Sequence, residues 1–153
     1  MEIRVATLRD AGGICQLYNE FWLYNEGLQP EYHQRAIENG EYPKNMIASE
    51  DSDIFIAIEN DEIIGFMRVR EAETLPYPPV VYHRYAEIVE LFVTASCRRK
   101  GVGSLLMNAA KQWSKARNLD YIELMVLSDA KGEIAFYKQY GLTAASHIMR
   151  CTV

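Results

Sequence analysis

The chain has 153 residues, 49% of them hydrophobic, and a formal charge of −5. That length suits one core and one domain spanning 1–153, the apolar fraction excludes a disordered chain, and the acidic balance argues against a general nucleic-acid binder. No apolar run approaches the length that spans a bilayer and nothing at the start resembles a signal peptide, so a cytoplasmic, membrane-free protein is expected.

Ile3–Ala6 alternates like a first strand, and Asp10 opens a helix with Ile14, Leu17, Tyr18 and Phe21 on one face. Pro30 starts a second helical segment through Ala36 and Ile37, ending near Asn39-Gly40. Ile54–Ile58, the polar turn from Glu59 to Glu62, and Ile63–Val69 read as an antiparallel hairpin. Residues 71–85 follow, where Pro76, Pro78 and Pro79 oppose ladder pairing and Tyr77, Tyr82, His83 and Tyr85 give an aromatic surface. Ile88–Val93 is apolar and strand-like, with Glu87 and Glu90 on or beside it. In a regular strand those carboxylates, three apart, point to opposite faces; a bulge between them changes this.

Next comes Arg98-Arg99-Lys100-Gly101-Val102-Gly103-Ser104, the most informative stretch of the chain. Its glycines permit a tight turn and close approach of a ligand. The helix that follows presents unpartnered N–H groups and the positive end of its dipole, and strand, basic turn and helix N-terminus together make a phosphate cradle. Lys100 precedes the glycine pair, which excludes a Walker loop, and Leu106 stands where a dinucleotide fingerprint needs glycine or alanine. Val102, Leu105, Leu106, Ala109, Trp113 and Ala116 then mark the buried stripe of a helix. Tyr121–Leu127 suits a central strand, Ile134, Tyr137 and Tyr140 lie together on a short helix closed by Gly141, and His147–Val153 can form a last strand.

The pattern Arg98-x-x-Gly101-x-Gly103 after a strand resembles the acetyl-CoA pyrophosphate loop of the GNAT superfamily of N-acyltransferases. Phe136-Tyr137 and Gly141-Leu142 match the second half of a further GNAT segment; Ala130 and Glu133 depart from its first half, where asparagine and alanine are usual. The resemblance implies an α/β (α+β) GNAT fold, a mixed sheet of about six or seven strands flanked by about four helices. It also implies a reaction: acetyl transfer from acetyl-CoA to a primary amine by direct attack in a ternary complex. On this reading Arg98, Arg99, Lys100, Gly101, Val102, Gly103 and Ser104 hold the pyrophosphate. Leu91, Phe92 and Val93 hold the pantetheine arm and the thioester carbonyl through the backbone of a splayed strand, with an N–H of Phe92 or Val93 polarising the carbonyl. Tyr137 is the general acid to the departing thiolate, and Glu90, Glu87 or a water relay is the base.

The acceptor is read as a small-molecule, peptide or protein amine. Its side of the protein is rich in acidic residues from Glu20 to Asp53, and an acidic mouth concentrates cations. Trp22, Tyr24 and Glu26, with Tyr77 and Tyr82, are the candidate acceptor residues, and residues 71–85 serve equally as a homodimer contact. Cys15, Cys97 and Cys151, and His33, His83 and His147, share no ligand spacing, so no metal is expected. Cys97 beside the basic turn also suits an acyl-enzyme route. The alternative reading is a catalytically inactive acyl-CoA-binding sensor or scaffold.

Overall fold

A computed structural model of residues 1–153 places five strands in one sheet, in the order β1-β2-β3-β4-β5. These are β1 (Glu2–Val5), β2 (Ser52–Glu59), β3 (Glu62–Glu73), β4 (Arg84–Val93) and β5 (Ile122–Leu124). All pairs are antiparallel except β4 with β5, because α3 (Val102–Ala116) carries the chain back between those two. The hairpin turn of β2 and β3 is Asn60-Asp61, both at positive φ (51° and 62°), as a tight two-residue hairpin turn requires.

The sheet is buried on both faces. Helices α1 (Ala11–Leu28) and α2 (Glu41–Ile47) cover one face, where Ile14, Leu17 and Tyr18 pack on Ile54, Ile56, Phe66 and Phe92. Helices α3 and α4 (Lys131–Gln139) lie with the other, where Val102, Leu106, Met107 and Tyr137 join Met67, Val69, Ile88 and Val93. No helix is long and apolar enough to cross a membrane, and no cluster of His, Cys, Asp and Glu side chains is placed to hold a metal ion.

Five expectations are corrected. The sheet has five strands rather than six or seven. Residues 30–37 form no helix: Tyr32 and His33 both donate to the Gln29 carbonyl in a single turn, and Ile37 is exposed, so no apolar face is available to stabilise more turns. The helix here is α2, opened by Gly40 at φ 96° and capped by Glu38, whose carboxylate accepts from the Gly40 and Tyr42 N–H groups. The last strand, His147–Val153, is not formed, and β5 is three residues long rather than seven. In α3 the buried stripe is Val102, Leu106, Met107, Ala110, Trp113 and Ser114; Leu105 and Ala116 are exposed. The sheet lies against a face about one residue around the helix from the one marked by apolar letters. Ser114 is accommodated there by donating to the Ala110 carbonyl at 2.7 Å.

Candidate active site

β4 and β5 pair only at Ala86–Ile122, Glu87–Glu123 and Ile88–Leu124, yet β4 runs on to Val93. Beyond Ile88 its β5 side is therefore an open wedge. The divergence coincides with a bulge: pairing with β3 steps from Ile88–Val69 to Glu90–Arg68, leaving Val89 as the extra residue. The Thr94 N–H donates to the Ile64 carbonyl on β3. Strand alternation then aims the backbone of Phe92 at β3 and that of Leu91 and Val93 into the wedge. The Val93 carbonyl is already taken, by Arg98 Nε at 2.9 Å.

At the end of β4 the chain passes through a short 3-10 turn (Ala95–Cys97) into the basic loop. Arg99 and Gly101 both adopt positive φ, 61° and 84°, and α3 starts at Val102. The first N–H to bond in this region is that of Leu105, to the Gly101 carbonyl. Six consecutive N–H groups, Arg99 to Ser104, thus make no hydrogen bond within the protein. The side chains divide the work. Arg98 turns inward, its guanidinium 4.7 Å from the Tyr24 ring centroid and 5.3 Å from that of Phe92. Arg99 and Lys100 are exposed, and Val102 is fully buried and anchors the turn. Gly103 faces α4: a Cβ there would lie 3.2 Å from the Phe136 ring.

On the α1–α2 face, Glu90 is fixed between two tyrosines. Tyr18 donates to its Oε2 at 2.8 Å and Tyr42 to its Oε1 at 3.0 Å. Arg68, across the sheet, stands 3.9 Å from Oε2 and donates to Ser52 and to the Tyr42 hydroxyl. Burial and the Glu90 charge both raise the Tyr18 and Tyr42 hydroxyls above the usual phenol range. Because of the bulge, Glu87 lies on this face too, tied to Arg70 at 2.6 Å and more exposed than Glu90. Trp22 packs against both Tyr18 and Tyr42.

Other candidates are distributed around the wedge or away from it. Tyr24, near the end of α1, donates to Glu133 of α4 at 2.7 Å; burial, and then that contact, push its hydroxyl up to about 12. Tyr137 is buried in the same core cluster as Val93 and Val102. Its hydroxyl, raised chiefly by burial, makes no hydrogen bond yet is not sealed from the surface. Cys97 is buried in the same cluster. Glu26 is engaged at 3.2 Å by Arg35. Tyr77 and Tyr82 are exposed on the loop between β3 and β4, at the end of β4 remote from the basic turn, and are not brought together with Glu90 or Tyr24.

Sequence reasoning missed Tyr42, Arg68, Gln29 and Glu133. Arg68 carried a signal, a cation within the otherwise apolar run Ile63–Val69. Gln29 reaches from the end of α1 to Asp129 at 2.7 Å, with its own carbonyl oxygen buried and unpaired. No local pattern announces that contact.

Comparison with known proteins agrees with this geometry. Residues 14–142 match the model of the acetyltransferase (GNAT) family. An uncharacterised N-acetyltransferase of Methanocaldococcus jannaschii is 29% identical over 139 residues; the match covers 91% of this chain and 59% of that protein, so the chain spans well under two thirds of this relative's length. In fold, a tetramutant of the BH1408 protein of Bacillus halodurans superposes with a TM-score of 0.93 at 21% identity, each chain fully covered. An aminoglycoside acetyltransferase from an uncultured soil metagenomic sample, in complex with trehalose, gives 0.75 at 18% identity, covering 99% of this chain and 94% of that one. With a family match over most of its length and a sheet splayed at a basic helix-capping turn, the chain belongs to the acetyltransferase (GNAT) family.

Proposed function

We propose that this protein transfers the acetyl group of acetyl-CoA to a primary amine. The observation that carries the reading is the row of six unpartnered N–H groups from Arg99 to Ser104, set at the end of a strand whose neighbouring edge is open. A diphosphate satisfies such a row, and Arg99 and Lys100 add charge beside it. The wedge offers the backbone of Leu91 and Val93 to an amide-bearing arm. Acetyl-CoA has these parts in this order, and its thioester supplies an activated acyl group.

The residues then have distinct tasks. The Val93 N–H, facing the wedge while its carbonyl is held by Arg98, suits the donor that stabilises negative charge developing on the thioester oxygen; Phe92 supports it from the β3 side. Tyr137 stays protonated at neutral pH, and its unpaired hydroxyl is free to donate to the departing sulfur. Glu90 is the proton sink on the opposite face. Both its oxygens accept from tyrosines, so the proton travels through a hydroxyl. Tyr18 is fully enclosed, leaving Tyr42, half-buried, as the route. Glu87 is occupied by Arg70. The carboxylate among Trp22, Tyr18 and Tyr42 favours a cationic amine, and a neighbour of the same fold acts on aminoglycosides, which are polyamines.

Calorimetric titration with acetyl-CoA tests the binding half of the reading. Wild type is expected to bind, with ATP and NAD as weak controls. The Arg99→Glu, Lys100→Glu double variant is expected to lose at least about tenfold in affinity, or 1.4 kcal/mol. Equal affinity in the variant, or no binding of any CoA species by wild type, would sink the phosphate assignment. Tyr137→Phe is expected to keep binding and lose thiol release across an amine panel. Unchanged release would return the protein to the sensor reading.

A further inference from the structure

Tyr24 of α1 and Glu133 of α4 belong to helices on opposite faces of the sheet, 109 residues apart in sequence. The Tyr24 hydroxyl nevertheless donates to Glu133 Oε1 at 2.7 Å. A continuous sheet would keep these side chains apart. They meet because β4 and β5 pair no further than Ile88–Leu124, so the contact crosses the opening between the two arms of the wedge. Each end of this bar is held. On the β4 arm, the Arg98 guanidinium lies 4.7 Å from the Tyr24 ring centroid while its Nε holds the Val93 carbonyl. On the other arm, Gln29 at the end of α1 donates to Asp129, just before α4, at 2.7 Å.

These contacts close a ring. From Val93 it runs through Arg98 and Tyr24 to Glu133, then one turn along α4 to Tyr137, which shares a buried cluster with Val93. The two groups assigned to the thioester, the Val93 N–H and the Tyr137 hydroxyl, are both members of that ring. A thioester held between them has its acyl group inside it, and the carbonyl is reached from Tyr42 and Glu90 only through it. The ring also carries a charge that nothing offsets. Glu26, Glu87 and Glu90 each stand beside an arginine, whereas Glu133 forms no ion pair. Glu133 is half-buried, so its carboxylate keeps contact with water. Its charge is felt at the neighbouring phenol: after burial itself, Glu133 is what raises the Tyr137 hydroxyl.

We propose that Tyr24 and Glu133 determine acyl specificity, restricting the donor to small, uncharged acyl groups. Tyr24 sets the width. Fixed by a hydrogen bond at one end and by Arg98 at the other, the bar admits a methyl group and obstructs a branched chain. Glu133 sets the charge, because an acyl group ending in a carboxylate would bring like charges together in a half-buried gap. The CoA portion is common to all such donors and cannot discriminate among them, so selection has to come from what the site rejects. The inference rests on the acetyl-transfer reading for the position of the thioester, and adds which donors that position accepts.

Calorimetric titration of the full chain with acetyl-CoA, isobutyryl-CoA and succinyl-CoA tests this without a known amine. Wild type is expected to bind acetyl-CoA at least about tenfold more tightly than either of the others. Glu133→Gln keeps an acceptor for the Tyr24 hydroxyl and removes the charge. It should narrow the succinyl-to-acetyl gap at least about threefold and leave the isobutyryl gap as in wild type. Tyr24→Phe breaks the bar and keeps the charge, so it should narrow the isobutyryl gap and leave the succinyl gap. Glu73→Gln, which removes an exposed carboxylate from the far end of β3, is expected to move neither. Wild type without preference among the three donors overturns the proposal. So does either ring variant that leaves its own gap at the wild-type value, or a succinyl gain in Glu73→Gln equal to that in Glu133→Gln. Failure of wild type to bind any CoA species would remove the acetyl-transfer reading itself, and the proposal with it.

Discussion

Tyr18 and Tyr42 serve the same carboxylate from different depths, and their phenylalanine variants should separate support from chemistry. Tyr18 is wholly buried, and without its hydroxyl Glu90 Oε2 keeps only Arg68 at 3.9 Å. Tyr18→Phe is expected to cost about 1–3 kcal/mol in urea unfolding, the loss of a hydrogen bond to a buried charge. Tyr42 is half-buried, so water can replace its hydroxyl at Oε1. Tyr42→Phe should cost less stability, yet slow turnover with little change in acetyl-CoA affinity. Equal stability losses with unaltered turnover would remove Tyr42 from the proton route. Glu90 itself was legible as a carboxylate in an apolar strand. Its partners were not, since they lie 48 and 72 residues away and Tyr18 reads from its spacing as ordinary core. The sharing of a face by Glu87 and Glu90 depends on one bulged residue, Val89, which no side-chain pattern marks.

Elements that carry strong periodicity or turn chemistry were readable, and the failures share one cause. The β2–β3 hairpin follows from alternation and a polar turn, and α3 from the glycine-containing turn before it and its helical spacing. The absent helix over 30–37 and the displaced stripe of α3 were decided by what packs against them, which local letters do not encode. Gly103 shows this at the junction of α3 and α4. Besides the ligand approach that the sequence reading assigns to it, its Cα faces the Phe136 ring, one residue before Tyr137, a contact that local letters do not encode. An added Cβ would lie 3.2 Å from that ring, so alanine needs a small displacement of α4 and valine a larger one. Gly103→Val is expected to destabilise by about 1–3 kcal/mol, as overpacking does. By moving α4 it should reduce turnover more than acetyl-CoA affinity. A variant as stable as wild type would show that the two helices slide freely, and that Tyr137 is not positioned by this contact.

Across the whole molecule, buried phenols set a limit on alkaline stability. Tyr18 and Tyr137 are enclosed in the two cores, one on each face of the sheet. Burial raises both hydroxyls above the ordinary value, with nearby Glu90 and Glu133 adding to the effect. Tyr42 is raised for the same reasons, and Tyr24 to about 12. In the unfolded chain these groups ionise near the reference value of about 10. Below that pH both states hold the protons and the groups contribute no slope. Above it the unfolded state releases protons that the folded state retains, so the number bound is smaller in the unfolded chain and stability falls as pH rises. Each such group costs about 1.4 kcal/mol per pH unit until its folded value is reached. Alkaline titration followed at once by phenolate absorbance and far-ultraviolet circular dichroism checks this. Of the ten tyrosines, those in the two cores should ionise together with the loss of helix signal, and not before it. Reversible ionisation of all ten with the helix signal intact would mean that the sheet faces open readily. It would also mean that Tyr137 is no more protected than a surface phenol.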